Sequence, residues 1–153
     1  MRDAEIPAAS PLSKQRLRLW LRLLHAQRVV ESELRERLRD AWDSTLPRFD
    51  LMAALARRPE GMRMSDLSKM LKVSNGNVTG LVDRLAAEGH VERKAVEGDR
   101  RASLVRLTDR GRAGFDAMAR DHEAWVDEIF AGFDADELER MIALLGRVWE
   151  GKA

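Results

Sequence analysis

The chain has 153 residues, 44% hydrophobic and 35% charged, which is enough apolar material for one compact domain or two small halves sharing a core. With no cysteine it has no disulfide, thiolate metal site or thiol redox sensor, and 5% aromatics without a tyrosine argue against a stacking platform for RNA. The net charge of +1 hides an asymmetry: residues 93–114 hold seven basic side chains against three acidic, and residues 115–150 hold three basic against ten acidic, so a negatively charged partner is expected to touch only part of the molecule.

Residues 1–12 have no apolar signal core and read as a short flexible lead, and no apolar run approaches the length of a bilayer. A cytoplasmic protein with no membrane association is expected. From Lys14 to about Trp42, Trp20, Leu23, Leu24, Val30, Leu34, Leu38, Ala41 and Trp42 recur at helical spacing, which predicts one long helix in need of a partner surface. Phe49, Met52, Leu55 and Ala56 predict a short second helix ending before Pro59-Glu60-Gly61. Ser65 is the expected N-cap of a third, with Leu67, Met70 and Leu71 inward.

The next stretch, VSNGNVTGLVDRL (73–85), changes character halfway. Ser74 can cap a helix whose apolar stripe is Val78, Leu81, Val82 and Leu85, and Gly89 follows where a C′ glycine stops helices. VERKA (91–95) and ASLVRL (102–107) read as two strands of a β-hairpin joined by the charged residues 96–101. Thr108 caps a further helix with Phe115, Met118, His122, Trp125, Val126 and Ile129 inward. Asp134 to Glu137 opens a last helix with a capping box.

Two short helices joined by a tight turn and followed by a hairpin describe a winged helix-turn-helix, in a chain that is mainly α with a small β-hairpin wing. The second helix of such a unit meets base edges with its N-terminal residues, and close approach requires small side chains. Asn75, Asn77 and Thr79 offer donors and acceptors, Gly76 and Gly80 let the backbone come near, and Arg84 follows on the polar face. Backbone N–H groups at the helix start, beside Ser74, suit a phosphate. Arg93, Lys94, Arg100, Arg101 and Arg106 would neutralise phosphates, with Asp99 holding the fork of Arg101. The plainer readings are a loop with a capping serine and a solvated charged turn.

These residues resemble the MarR family of bacterial transcriptional regulators. The resemblance lies in LPRFDLMAAL (46–55), MSDLSKMLKVSNGNVTGLVDRLAAEGHVER (64–93) and DRRASLVRLTDRGR (99–112), and it spans roughly residues 13–150. It implies a homodimer built by a helical region, 13–45 and 109–150, around a DNA-binding unit, 46–108. It further implies that the helix from Ser74 to about Glu88 lies in the major groove of a palindromic double-stranded operator, with Arg101, braced by Asp99, in the minor groove. Family members are usually repressors released by a small molecule bound between the dimerisation and DNA-binding parts.

LPRFDLMAAL together with GNVTGLVDRL is similar to regulators of aromatic-acid (hydroxycinnamate) catabolism that sense thioesters such as p-coumaroyl- or feruloyl-coenzyme A. The phosphates of such an effector need cations, for which the first helix offers Arg28, Arg35 and Arg39 among others. Its aromatic end needs an apolar lining, for which Trp20, Leu24, Phe49, Met52 and Trp125 are candidates, with His25 beside them. The ordinary alternatives are a solvated helix face and plain core. A free phenolic acid or drug-like aromatic is a second effector class, and a winged-helix protein-interaction module without DNA binding is a second functional class. His25, His90 and His122 lack paired spacing, and no nucleophile–base constellation or phosphate loop is visible, so no metal, cofactor or enzymatic activity is expected.

Overall fold

The computed structural model describes residues 10–72 and 74–150, and of these only the backbone at Asn75, Arg100, Arg101 and Ala102. The expected flexible lead falls largely on residues 1–9, outside the described residues. The order is α1 (Pro11–Trp42), α2 (Leu46–Ala56), β1 (Met62–Arg63), α3 (Met64–Leu71), α4 (Asn75–Ala87), β2 (Val91–Val96), β3 (Asp99–Leu107), α5 (Asp109–Phe130) and α6 (Ala135–Glu150). Among the described residues no helix is long and apolar enough to cross a membrane. Nor is any group of three His, Cys, Asp or Glu placed to hold a metal ion.

Local chemistry sets the helix starts. Ser10, Thr45, Ser74 and Thr108 each accept the backbone N–H three residues on, satisfying a donor that the first helical turn leaves open. Asp134 and Glu137 exchange reciprocal bonds of 3.0 and 2.9 Å as a capping box. Gly89 takes φ +79 just past α4, the left-handed position that ends a helix without a Cβ penalty.

The core lies where α2, α3, α4 and α5 meet the sheet. Leu51, Met52, Leu55, Leu67, Val78, Val82, Leu85, Val91 and Val105 are almost wholly removed from water there. Phe49 stacks on His122 at 4.5 Å and packs against Phe115 at 5.5 Å. From α1 only Leu34 and Leu38 are buried. Its C-terminal half is tied to α5 by the Trp42 indole N–H donating to Asp121 (2.9 Å) and by Arg37 bridging Glu33 and Glu128.

Several expectations need correction. Ser65 does not cap α3: the helix starts at Met64 with Arg63 at the N-cap and no side-chain bond, because Met62 and Arg63 are drawn into pairing with Val105 and Leu104. The wing is therefore a three-stranded sheet, ordered β1-β3-β2, rather than a bare hairpin. The connection is also tighter than residues 96–101: Gly98 at φ +83 turns the chain at once, so that Asp99, Arg100 and Arg101 belong to β3. Trp20 and Ala41, expected inward, are exposed, Trp20 by 55%, because none of the described residues covers that side of α1.

Candidate nucleic-acid interface

Helix α4 is divided by its own sequence. Val78, Val82 and Leu85 anchor one side in the core, and Gly76, Asn77, Thr79, Asp83 and Arg84 stand exposed. The Ser74 hydroxyl fixes the start by accepting the Asn77 N–H at 3.3 Å. A Cβ built on Gly76 or Gly80 meets no atom within 4 Å, so neither glycine is required by packing among the described residues. Since glycine inside a helix costs about 0.5–1 kcal/mol relative to alanine, the two residues keep a surface flat at the expense of stability. Arg84 has no carboxylate partner among the described residues.

The wing's charges are less free than the sequence suggests. Arg93 is held by Asp83 of α4 at 2.5 Å, and Arg106 by Glu92, its cross-strand partner, at 2.5 Å. Each pair cancels a cation counted above as a phosphate neutraliser. Lys94 is exposed and unpaired among the described residues, and Asp99 is exposed at the start of β3. The side chains of Asn75, Arg100 and Arg101, and with them the expected Asp99–Arg101 brace, lie outside the described residues.

The far end of α4 is clamped to α2. Arg48 forks onto the Glu88 carboxylate, one arm at 2.9 Å, and His90 approaches the same carboxylate at 3.7 Å. The Arg48 bond holds Glu88 below the usual carboxylate range. Burial, followed by the charge of Arg48, pushes the His90 imidazole down, and burial does the same to His122. Both imidazoles then take up protons less readily folded than unfolded. Their contribution to stability is complete above the ordinary histidine value of 6.5 and is lost as the pH falls below it. Glu88 adds a loss in the same direction, below 4.5. Thermal melts should show a Tm that declines from pH 7.5 to 5.5, with the decline flattened in a His90→Gln/His122→Gln double variant. An unchanged pH slope in that variant would refute the assignment.

A cleft of about 510 Å³ separates α4 from the start of α2 and from α1. Its walls are Arg35, Thr45, Leu46, Pro47, Gly76, Asn77, Gly80, Leu81 and Arg84. Of the nine effector candidates from the sequence, only Arg35 lines it, in an ion pair with Glu31 at 2.6 Å. Phe49 (8% exposed) and Met52 (1%) are core, and Trp125 packs half-buried against that core. Trp20, Leu24 and His25 lie in the N-terminal half of α1, where His25 shares a shallow concavity with Arg18, Leu21 and Arg22, and Arg28 lies just past the helix midpoint. Arg39 faces Asp40 at 3.5 Å. Sequence reasoning missed Leu46, Pro47 and Leu81 as cleft residues, and their only signal was Thr45-x-Pro47 marking a helix start close to an apolar stripe.

Four comparisons with known proteins bear on this arrangement. The model of the MarR family matches residues 42–102. The HTH-type transcriptional regulator PecS of Dickeya dadantii is 35% identical over 102 residues, covering 65% of this chain; the chain spans only 61% of that relative's length. The crystal structure of a MarR family transcriptional regulator from Silicibacter pomeroyi superposes with a TM-score of 0.78 at 33% identity, covering 94% of this chain and 99% of that one. A mutant MarR from E. coli, complexed with operator DNA, superposes with a TM-score of 0.75 at 26% identity over 91% of this chain and 99% of that one. These relatives and neighbours are transcriptional regulators, not enzymes.

Proposed function

This chain belongs to the MarR family, and on that premise we propose that it is a sequence-specific DNA-binding regulator, a repressor whose hold on a palindromic operator is released by an aromatic acyl-coenzyme A thioester. The observation that carries the DNA-binding reading is the open face of α4, where Gly76 and Gly80 leave room beside Asn77 and Arg84. Residues 46–108 are the reading unit. Ser74, Asn75, Gly76, Asn77, Thr79 and Arg84 approach the major groove, and Asp99, Arg100 and Arg101 approach the minor groove. Arg93 contributes after exchanging Asp83 for phosphate.

Residues 13–45 and 109–150 form the dimerisation region. Support comes from apolar faces that no described residue of this chain covers: Leu17, Trp20 and Leu21 on α1, and Ile142, Leu145, Val148 and Trp149 on α6. A two-fold dimer presents its two reading helices about one helical turn of DNA apart, roughly 34 Å.

For the effector, the cleft offers cations at Arg35 and Arg84 flanking apolar Leu46, Pro47 and Leu81, a lining suited to an amphipathic anion. Its volume falls within the range of roughly 300–1,000 Å³ typical of small-molecule sites. A coenzyme A tail leaving the cleft would meet a further cation of α1 on either side of Arg35, Arg28 in one direction or Arg39 in the other. Because the cleft shares Gly76, Asn77, Gly80 and Arg84 with the reading face, occupancy and DNA binding compete. The cleft's modest size also favours a second reading, a free phenolic acid held by the same arginines. Displacement of fluorescent operator DNA by p-coumaroyl-coenzyme A, with no effect of p-coumarate, is the expected result. Displacement by the free acid alone would transfer the assignment to the second reading, and no displacement by either would remove both.

The glycine face gives a sharper check on the reading helix. Gly80→Ala should stabilise the fold by about 0.5–1 kcal/mol. Gly80→Gln should fold equally well but weaken specific DNA binding by roughly 10–100-fold, the discrimination that one bidentate base pairing supplies. Wild-type affinity in the glutamine variant would place α4 outside the groove.

A further inference from the structure

Among their described side chains, the reading helix and the wing offer few cations free of a carboxylate. Among the cations of residues 46–108 whose side chains are described, Arg48, Arg93 and Arg106 are each tied to a carboxylate. Those without such a partner among the described residues are Arg57, Arg58, Arg63, Lys69, Lys72, Arg84 and Lys94, and the first five fall between residues 57 and 72. Helix α4 itself contributes only Arg84. The salt-dependent part of affinity grows with the number of phosphates neutralised, so the unpaired cations outside α4 and the wing are the natural further source.

The fold gathers three of the five cations. The Gly61 N–H donates to the Arg58 carbonyl at 2.8 Å, closing a turn after α2. Gly61 stands at φ +98, and a Cβ there would lie 2.9 Å from the Val105 carbonyl oxygen, so its glycine identity lets β1 reach β3. Arg63 then pairs with Leu104, and α3 turns back with Lys69 on its last turn. Arg58, Arg63 and Lys69 thus line one concavity of about 550 Å³, with Met62, Met70 and Leu104 in its wall and Asp66 as its one carboxylate. All three cations are exposed. Such a cluster does nothing for the folded chain alone, since its members repel one another.

We propose that this face, made by the α2–β1 turn and α3, grips backbone phosphates of the same duplex that α4 reads. The inference rests on the DNA-binding reading above and names residues outside the reading helix and wing. In a helix-turn-helix the first helix crosses the DNA backbone, and α3 holds that position immediately before α4. A guanidinium fork matches a phosphate bidentately and an ammonium meets it as a point charge. Contacts of this kind fix register and supply affinity without reading sequence.

The test uses the full chain and a duplex enriched by the protein from a random library, titrated by fluorescence anisotropy across a potassium chloride series. The triple variant Arg58→Gln/Arg63→Gln/Lys69→Gln should lower the slope of log affinity against log salt by about 0.9 for each phosphate no longer neutralised. Its affinity should fall at least tenfold at physiological salt, equally on cognate and mismatched duplexes, leaving the specificity ratio unchanged. Should the triple variant melt early, Lys69→Gln alone gives the same reading at about a third of the slope change. A wild-type slope in the variant, or a changed specificity ratio, overturns the inference while the DNA-binding reading stands. Failure of the wild-type protein to prefer any sequence overturns both.

Discussion

Gly111→Ala should destabilise the fold by about 3 kcal/mol or more, the upper end of what overpacking costs. Gly111 is buried in the first turn of α5, and a Cβ there would sit 1.8 Å from the His90 carbonyl oxygen and 2.7 Å from its carbon. Neither side can yield. The His90 oxygen accepts the Thr108 N–H at 3.1 Å, and the Thr108 hydroxyl donates to the Gly89 carbonyl at 2.7 Å while accepting the Gly111 N–H at 3.0 Å. This junction fastens the Gly89–His90 link between α4 and β2 to the start of α5. Gly114→Ala is the control: its Cβ would meet only the edge of the His90 ring, at 3.9 Å, and helix propensity should make it neutral or mildly stabilising. Urea unfolding of both variants gives the comparison, and a Gly111→Ala cost below about 1 kcal/mol would contradict the packing described here.

The second large effect concerns assembly. In α6 only Gly146 is buried, whereas Ile142 is 70% exposed and Trp149 63%, with Leu145 and Val148 between them on the apolar side. Burying side chains of this size against a partner is worth roughly 1.5–3 kcal/mol each, and the first half of α1 offers a matching unburied row. The double variant Ile142→Asp/Leu145→Asp should therefore sediment as a monomer at micromolar concentration where the wild type sediments as a dimer. Specific DNA affinity should collapse with it, because two half-sites can no longer be held at once. Stability should fall too, since a partner that binds only the folded chain stabilises it by mass action. A wild-type monomer under those conditions would exclude the dimer.

How much of this was legible beforehand follows the range of each interaction. Helices of two turns or more declared themselves by periodicity, and Ser74, Gly89, Thr108 and the Asp134–Glu137 box marked their ends, because capping acts within three or four residues. A two-residue strand has no periodicity, so β1 was invisible, and with it the reason that Ser65 falls inside the first turn of α3. The ion pairs of Arg93 and Arg106 depend on register: Glu92 faces Arg106 only once β2 and β3 are aligned, and Asp83 meets Arg93 only once α4 packs beside the strand. The wing consequently looked more basic than it is.

The effector residues show the same boundary. Phe49 and Met52 sit at helical spacing on α2, and spacing alone cannot distinguish a core wall from a pocket wall. Arg35 reaches the cleft because α1 passes the starts of α2 and α4, a tertiary fact with no local signature. The exposed face of α4, which we propose reads DNA, was legible for the opposite reason. Its glycines and asparagines are poor helix formers, and neither glycine packs against another described residue.

Whether α4 reads a two-fold DNA sequence can be decided by selecting duplexes from a random library with the full chain and comparing the affinity of the enriched duplex with a scrambled one at physiological salt. A dimer that reads DNA through α4 should select an inverted repeat with half-site centres about 10 base pairs apart, bound at least roughly a thousandfold more tightly than the scrambled duplex. Equal affinities for both duplexes, rising together as salt is lowered, would mean that the protein meets DNA only as a polyanion, and α4 would not be a reading helix.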